Sequence, residues 1–472
     1  MDRLKFLSEE EVEAIHIATL RVLDGTGVLL SHPVACEILS GAGARVDNGR
    51  VYLPPDLVET EVAKTTGQVT IRGRGSAITL GDGSLHWHNM GGARDVFDPR
   101  TGQARPATLQ DVRDSTLILD AMPQVTTITP LFTPRDVPGH LMSLAMYRYA
   151  LPCTVKPLQG PGVASAEEVH VAVEMAEVIG PPQETLSLAV SPVSPLTFPD
   201  SAVSAMIAIA EAGVPFLPLP CPTAGSTAPM SLAGALVQQN AENLAAIALA
   251  QLIQPGLPVA YCGRLAMMEP RTGSSVWGGV ELGLASAGTV QIGHRYRLPV
   301  NVYGFSTNSY LTDSQNGFER ALNAAIPALA GADELSGIGE LGAGTISSLQ
   351  QIVIDNEFAA SIRRAVRGFN ADADALAVDV IHAAMGNVRN FLAERHSIRY
   401  LRGGEMLQTK LAERRSWNEW DNAGRISMAD RAQVEAERLL REHEVPPLAP
   451  EQEQTLDEIL QAADRTLSRL DH

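Results

Sequence analysis

Beyond about Gln124, apolar runs of strand length alternate with amphipathic runs of helix length. Parallel strands need a crossover of a dozen or more residues between them, and a helix supplies it. Strands are expected at Val125 to Pro130, Cys153 to Pro157, Leu186 to Val190, Pro215 to Leu219, Pro258 to Cys262, Val300 to Gly304 and Asp333 to Ile338. The helices between and after them are expected at His140 to Ala150, Ala166 to Ile179, Ser201 to Ala212, Leu232 to Ile253, Ser275 to Tyr296, Ser314 to Ala330 and Ser347 to Arg367. An eighth strand is placed at Arg389 to Ala393, behind a helix at Ala375 to Met385. Seven or eight such units over about 270 residues predict an α/β fold, a TIM (β/α)8 barrel, with an open doubly wound sheet as the alternative.

The flanks have a different texture. Residues 1–120 read as an N-terminal accessory α+β region, in which Ser8 and Glu11 form a capping box for a helix reaching about Gly25. Val51 to Leu53, Val69 to Ile71 and Ile78 to Leu80 read as small antiparallel strands punctuated by Gly and Asp. The barrel is assigned to 121–400. Residues 401–472 read as a C-terminal helical extension: a helix at Met428 to His443, a break at Pro446 to Pro450, and a last helix from Glu451 to about Leu470.

A formal net charge of −18 repels nucleic-acid backbones and anionic membranes, so neither is expected as a partner. The most apolar long stretch, Ser231 to Gln254, carries Gln238, Gln239, Asn240, Glu242 and Asn243 near its middle. A bilayer would bury those groups at high cost, so the stretch reads as a soluble helix. Cys36, Cys153, Cys221 and Cys262 never approach a C-x-x-C spacing, and the start turns acidic at Glu9-Glu10 where a signal peptide needs an apolar run. A cytoplasmic chain with reduced thiols is expected, and the sequence leaves room for a homo-oligomer.

No G-x-x-x-x-G-K-[ST], H-E-x-x-H or G-x-S-x-G is present, so phosphoryl transfer and standard zinc proteolysis lose support. His86-Trp87-His88 would set two imidazoles on one strand face, but without a third ligand they read as structural or solvent-facing, and no metal is assigned. Gly339 to Gly344 lacks a full dinucleotide fingerprint and reads as a flexible barrel-top loop.

In a barrel the loops after the strands form the active site. Those positions hold Lys156 and Gln159, Ser191 and Ser194, Cys221, Thr223 and Ser226, Arg264, the run Tyr303 to Ser309, and Glu340. The competing reading for the serines is helix capping, as expected of Ser201, Ser231 and Ser347.

Five stretches carry a resemblance: Ile15 to Val28; Asp98 to Thr108; Ala228 to Ala235 with Asn240-Ala241-Glu242; Asp313 to Glu319; and Trp417-Asn418-Glu419-Trp420. In their order and spacing the chain resembles the trimethylamine methyltransferase family over nearly its whole length. The resemblance implies a TIM barrel that passes a methyl group from a methylated amine to the Co(I) of a corrinoid. That cofactor would be carried by a separate small corrinoid-binding protein, with none bound tightly by this chain. The chain has only standard residues, whereas the trimethylamine-specific members depend on pyrrolysine. The implied donor is therefore a quaternary amine, glycine betaine or a related betaine.

A quaternary ammonium has no N–H to donate, so aromatic faces and a carboxylate must recognise it, while a substrate carboxylate wants Arg, Lys or backbone donors. Tyr303, Phe305 and Tyr310 are the aromatic candidates, with Trp277 and Tyr261 flanking; Arg264 and Lys156 are the carboxylate-binding candidates, and Glu340 would offset the ammonium charge. Filling the barrel or packing its helices is the competing role for each aromatic residue. No catalytic residue is assigned. Two other readings remain open at this point: a lyase or aldolase forming a Schiff base on Lys156, and a non-catalytic quaternary-amine binder.

Overall fold

The computed structural model describes residues 3–386 and 389–468. Its mixed α/β architecture is organised by a ring of short staves. His86–Asn89 lies parallel to Glu334–Ile338, which lies parallel to Val300–Tyr303, and that to Tyr261–Gly263. Val259 bridges to Phe216, and Phe216–Pro218 pairs with Leu188–Val190. The Gly160 N–H then donates to the Ser187 carbonyl, Leu158 bridges to Ile128, and the Thr126 N–H donates to the Trp87 carbonyl. These links return to the first segment and close a ring of eight staves.

The eighth stave is not where sequence periodicity put it. Residues 389–393 belong to no strand, and the ring is closed instead by His86–Asn89, from the region read as accessory. All four residues of that stave are buried, so it has no polar outer face, and its two histidines disguise it as a polar loop. The ring therefore takes in residues 86–89, and the helix after its last stave is Leu349–Arg367.

The third stave is also displaced. Leu151–Cys153 is a 3-10 turn favoured by Pro152, and pairing begins at Pro157 rather than Cys153. The Gly-rich stretch is not an open loop: buried Glu340–Leu341 pairs with Ile346–Ser347, which aligns parallel to Asp95–Asp98. Helix starts shift by a few residues. Ser348, not Ser347, accepts from Gln351 N–H; Ser231 sits at its N-cap without a side-chain bond; Ser201 lies inside a helix begun after Pro199.

Two features shape the interior. The hairpin of Val69–Arg72 and Ala77–Leu80 turns Val69, Ile71, Ile78 and Leu80 onto Leu217, Ala260 and Cys262 of the staves, plugging one end of the ring. Each such side chain contributes roughly 1.5–3 kcal/mol by leaving water. At the far end, Arg320 of helix Ser314–Ala330 is fully buried and donates to the Phe305 carbonyl (3.1 Å), the Glu340 carbonyl, Asn316 Oδ1 (2.9 Å) and Asp355 Oδ2 (2.9 Å). It ties the segments following the last two staves to the last barrel helix.

Outside the ring, helix Met428–Glu442 packs on Leu349–Arg367, and helix Pro450–Leu467 packs on Ala166–Glu177. Leu470, where sequence expects the last helix to end, lies outside the described residues. Among the described residues no helix is long and apolar enough to cross a membrane.

Because a buried ion left without its partner is costly, Arg320→Leu is expected to destabilise the chain by roughly 3–5 kcal/mol. Asp355→Asn keeps an acceptor for the Gly339 N–H (2.7 Å) but leaves the buried Arg320 charge without its partner, so it should cost about as much. Urea unfolding followed by circular dichroism checks both.

Candidate active site

A cavity of about 400 Å³ lies inside the ring above the plug. Its walls combine polar side chains from the staves, among them His88, Gln159, Ser187, Arg264 and Asn301, with Met90, Met142, Met146, Trp277 and Tyr303.

The polar wall is organised around Glu334, which is wholly buried. Its carboxylate accepts from Thr127 Oγ1 at 2.8 Å, Gln159 Nε2 at 3.4 Å and Asn301 Nδ2. Asn301 Nδ2 also lies 3.1 Å from His88 Nε2, while Asn301 Oδ1 accepts from Arg264 Nη2. Arg264 Nη1 donates to the carbonyls of Gly263 (3.0 Å) and Asn301 (3.1 Å), leaving its Nε–H without an acceptor among the described residues. The guanidinium sits 5.2 Å from the Tyr303 ring centroid, and Tyr303 tilts against Trp277 at 5.4 Å. Trp277 is held from behind, because its own N–H and that of Gly278 both donate to Asn308 Oδ1, at 2.8 and 2.6 Å.

Three buried groups of this region are unpaired: His88 Nδ1, the Ser187 hydroxyl and Glu340 Oε2. Burial lowers the His88 pKa, so the imidazole is neutral, and with Nε2 accepting from Asn301 its proton rests on Nδ1. Native interiors seldom leave such groups unsatisfied, and those that remain mark strain or a missing ligand.

Burial likewise pushes the Cys262 thiol to about 12, so it is neutral. Glu340 is raised to about 7 by burial, against the stabilising effects of Tyr303, Arg320 and the Ser306 hydroxyl, which donates to Oε1 at 2.7 Å. Among the described residues no group of three or more His, Cys, Asp or Glu could hold a metal ion.

Of the residues named from sequence, Arg264, Tyr303, Trp277, Gln159 and Cys221 line the cavity and Glu340 lies buried beside Tyr303. Phe305, Tyr310, Tyr261 and Lys156 are elsewhere. Phe305 is fully buried in the core, stacked on Trp87 at 4.9 Å. Tyr310 is 59% exposed, its ring against Gly342. Tyr261 points out of the ring, its hydroxyl donating to Asn240 Oδ1. Lys156 lies before its stave and turns to the end of helix Leu109–Ala121, donating to the carbonyls of Leu119 (3.0 Å) and Met122 (2.6 Å). Burial lowers it to about 8, but it does not reach the cavity, so the Schiff-base reading loses its geometry.

Sequence reasoning missed Asn301, Glu334, Ser187 and the role of His88. Their signal was positional, polar residues inside otherwise apolar strands, where only a filled or ligand-lined interior tolerates them.

Comparison with known proteins gives this cavity a context. The family model of trimethylamine methyltransferase matches residues 1–467. The chain belongs to the trimethylamine methyltransferase family. It is 32% identical over 467 residues to the trimethylamine methyltransferase MttB of Desulfitobacterium hafniense, covering 97% of this chain and 93% of that one. A glycine betaine methyltransferase of the same species is 28% identical over 462 residues, covering 96% and 95%. The monomethylamine methyltransferase of Methanosarcina barkeri superposes with a TM-score of 0.52 at 12% identity, over 98% of this chain and 92% of that one, and shows the fold alone. The family's methyltransferases are corrinoid-dependent, working on methylamines and betaines with corrinoid proteins as methyl acceptors, and the chain is an enzyme of that class.

Two outcomes are expected from this geometry. Lys156→Met should retain turnover while losing about 1–3 kcal/mol of stability, from its bonds to the helix-end carbonyls, in parallel activity and melting assays. Glu340 keeps in the folded chain a proton that the unfolded chain releases above its ordinary value of 4.5, so stability is lost as pH rises from there to about 7. Glu340→Gln cannot ionise. Its melting temperature relative to the parent should therefore climb across that window and level off above it.

Proposed function

We propose that the chain is a (β/α)8 barrel that transfers a methyl group from a carboxylate-bearing quaternary amine, glycine betaine or a related betaine, to the Co(I) corrinoid of a separate small protein. The observation carrying this reading is the juxtaposition, in one cavity, of buried unpaired polar groups with the paired aromatic faces of Trp277 and Tyr303. The Ser187 hydroxyl, His88 Nδ1–H and the free Arg264 Nε–H suit a substrate carboxylate. The two rings suit a quaternary ammonium, and Glu340 behind Tyr303 adds negative potential there as it ionises above about pH 7.

The division of labour follows from the chemistry. The corrinoid supplies the nucleophile and takes the methyl group; the C–N bonding pair stays on nitrogen, which leaves as a neutral tertiary amine. No proton has to move, because a quaternary nitrogen is already a cationic leaving group. The chain's residues need only hold the carboxylate, desolvate the ammonium and aim one methyl outward. Protonated trimethylamine would have to shed its N–H first, and this chain of standard residues lacks the pyrrolysine of trimethylamine-specific members. Arg264, Tyr303, Trp277 and Ser187 are the assigned substrate-binding residues, with Glu340 in support.

The direct test is methylation of Co(I) corrinoid on a competent partner protein, followed by its absorbance change, with a series of betaines and with trimethylamine. Turnover with a betaine and none with trimethylamine is expected. No reaction with any betaine would sink the proposal. Arg264→Gln should lower kcat/KM for a betaine roughly ten- to hundredfold, mainly through KM, and leave tetramethylammonium, which has no carboxylate, nearly unaffected.

A further inference from the structure

The cavity has more room than glycine betaine can fill. An apolar cavity of about 150 Å³ is enough to hold benzene, and glycine betaine is only a little larger. The ring encloses about 400 Å³. Water settles in such a remainder only where polar groups hold it, and here the polar groups gather low in the ring, around Glu334 and Asn301. The wall opposite Arg264 is different. It is built by Met142 and Met146, from helix Met142–Ala150, with Pro130, Pro161 and the nearby Met90.

The spare donors and the rings stand at different depths. Arg264 turns its guanidinium down to the side chain and carbonyl of Asn301, and His88 Nε2 meets the same Asn301 amide. The free Arg264 Nε–H and His88 Nδ1–H therefore lie near that depth. Tyr303 is two residues farther along the stave, roughly 6–7 Å nearer the mouth. The guanidinium already lies over the Tyr303 ring, 5.2 Å from its centroid, and a second cation is repelled from that spot. The ammonium is left to Trp277, one ring farther on, in the segment beyond the end of stave Tyr261–Gly263. Such segments surround the mouth of a barrel.

A carboxylate held beside Asn301 and an ammonium held at Trp277 are separated by the width of Tyr303. Glycine betaine joins the two groups through a single methylene. Anchored by its carboxylate, it leaves its methyl groups deep in the ring, where an acceptor that stays outside cannot meet them. At about 1.5 Å a bond, a spacer of roughly three or four carbons spans the gap. Its methylenes then run beside Met90, Met142 and Met146. Unbranched, polarisable methionine side chains mould themselves to such a chain.

Resting on the betaine reading above, we infer that the methyl donor is a long betaine, with a hydrocarbon spacer of roughly three or four carbons between its quaternary ammonium and its carboxylate, and that the three methionines set its length. Arg264 and His88 hold the carboxylate low in the ring, Trp277 holds the ammonium at the mouth, and Met90, Met142 and Met146 cover the chain between them. The bonds made and broken are unchanged: one methyl passes to the Co(I) corrinoid, and the C–N pair stays on the departing tertiary amine.

Straight-chain trimethylammonio carboxylates, with spacers from a single methylene upward, test it in two ways: calorimetric binding to the chain alone, and methylation of Co(I) corrinoid on a partner protein. One methylene in an apolar pocket is worth roughly ten- to two-hundredfold. Both Kd and kcat/KM are therefore expected to improve roughly tenfold or more from glycine betaine to the best longer homologue. Met142→Phe, which thickens the wall, should cut the preference for that homologue over glycine betaine roughly tenfold, and Met142→Ala, which thins it, should move the optimum to a longer spacer. A purely structural role for Met142 would scale all spacers alike, and that result overturns the assignment of the wall. Use of glycine betaine equal to or better than every longer homologue overturns the inference and leaves the betaine reading standing. Neither binding nor methylation with a betaine of any length overturns both together.

Discussion

One buried ion pair organises the working end of the molecule. Arg320 and Asp355 have no exposed surface, and the guanidinium spends its remaining donors on Asn316 and on two backbone carbonyls, Phe305 and Glu340. Those carbonyls belong to the segments leaving the last two staves, so the pair fixes where Tyr303, Ser306 and Glu340 can stand. Burying two charges is not itself a route to stability, because desolvation consumes much of the attraction. Its value here is geometric. With every donor satisfied, the arrangement has one low-energy solution, and the cavity wall inherits that rigidity.

The interior follows a gradient along the ring axis. At one end the hairpin seals the ring with aliphatic side chains. Above it, Glu334 gathers Thr127, Gln159 and Asn301, and through Asn301 it orients His88 and Arg264. Higher still come Trp277, Tyr303 and methionines. A carboxylate buried with three donors is satisfied, and it leaves the neighbouring His88, Ser187 and Arg264 with capacity to spare. That spare capacity, rather than any single nucleophile, is what the cavity offers a ligand.

The outer layer was legible because amphipathic period and capping are local. The capping box at Ser8 and the helices Leu232–Ile253 and Ser314–Ala330 stand where sequence places them. The third to seventh strands of the expected series were legible for a related reason: buried parallel strands read as continuous apolar runs. Family membership was readable as well, since it lies in the order of short stretches spread along the chain.

The closing stave and the wall chemistry were not local properties. His86–Asn89 has the composition of a polar loop and becomes a strand only because Glu334–Ile338 offers it a ladder and the ring gives both its faces something to bury against. Lys156 and Arg264 both follow apolar runs, yet a shift of the stave to Pro157 sends one to a helix end and leaves the other in the cavity. Phe305 and Tyr303 are two residues apart, but one stacks on Trp87 in the core and the other faces the cavity. What the sequence determined by itself was periodicity, hence the elements, the α/β class and the family. Register, ring closure and the direction of each polar side chain were decided only in the tertiary structure, because they depend on partners tens to hundreds of residues away.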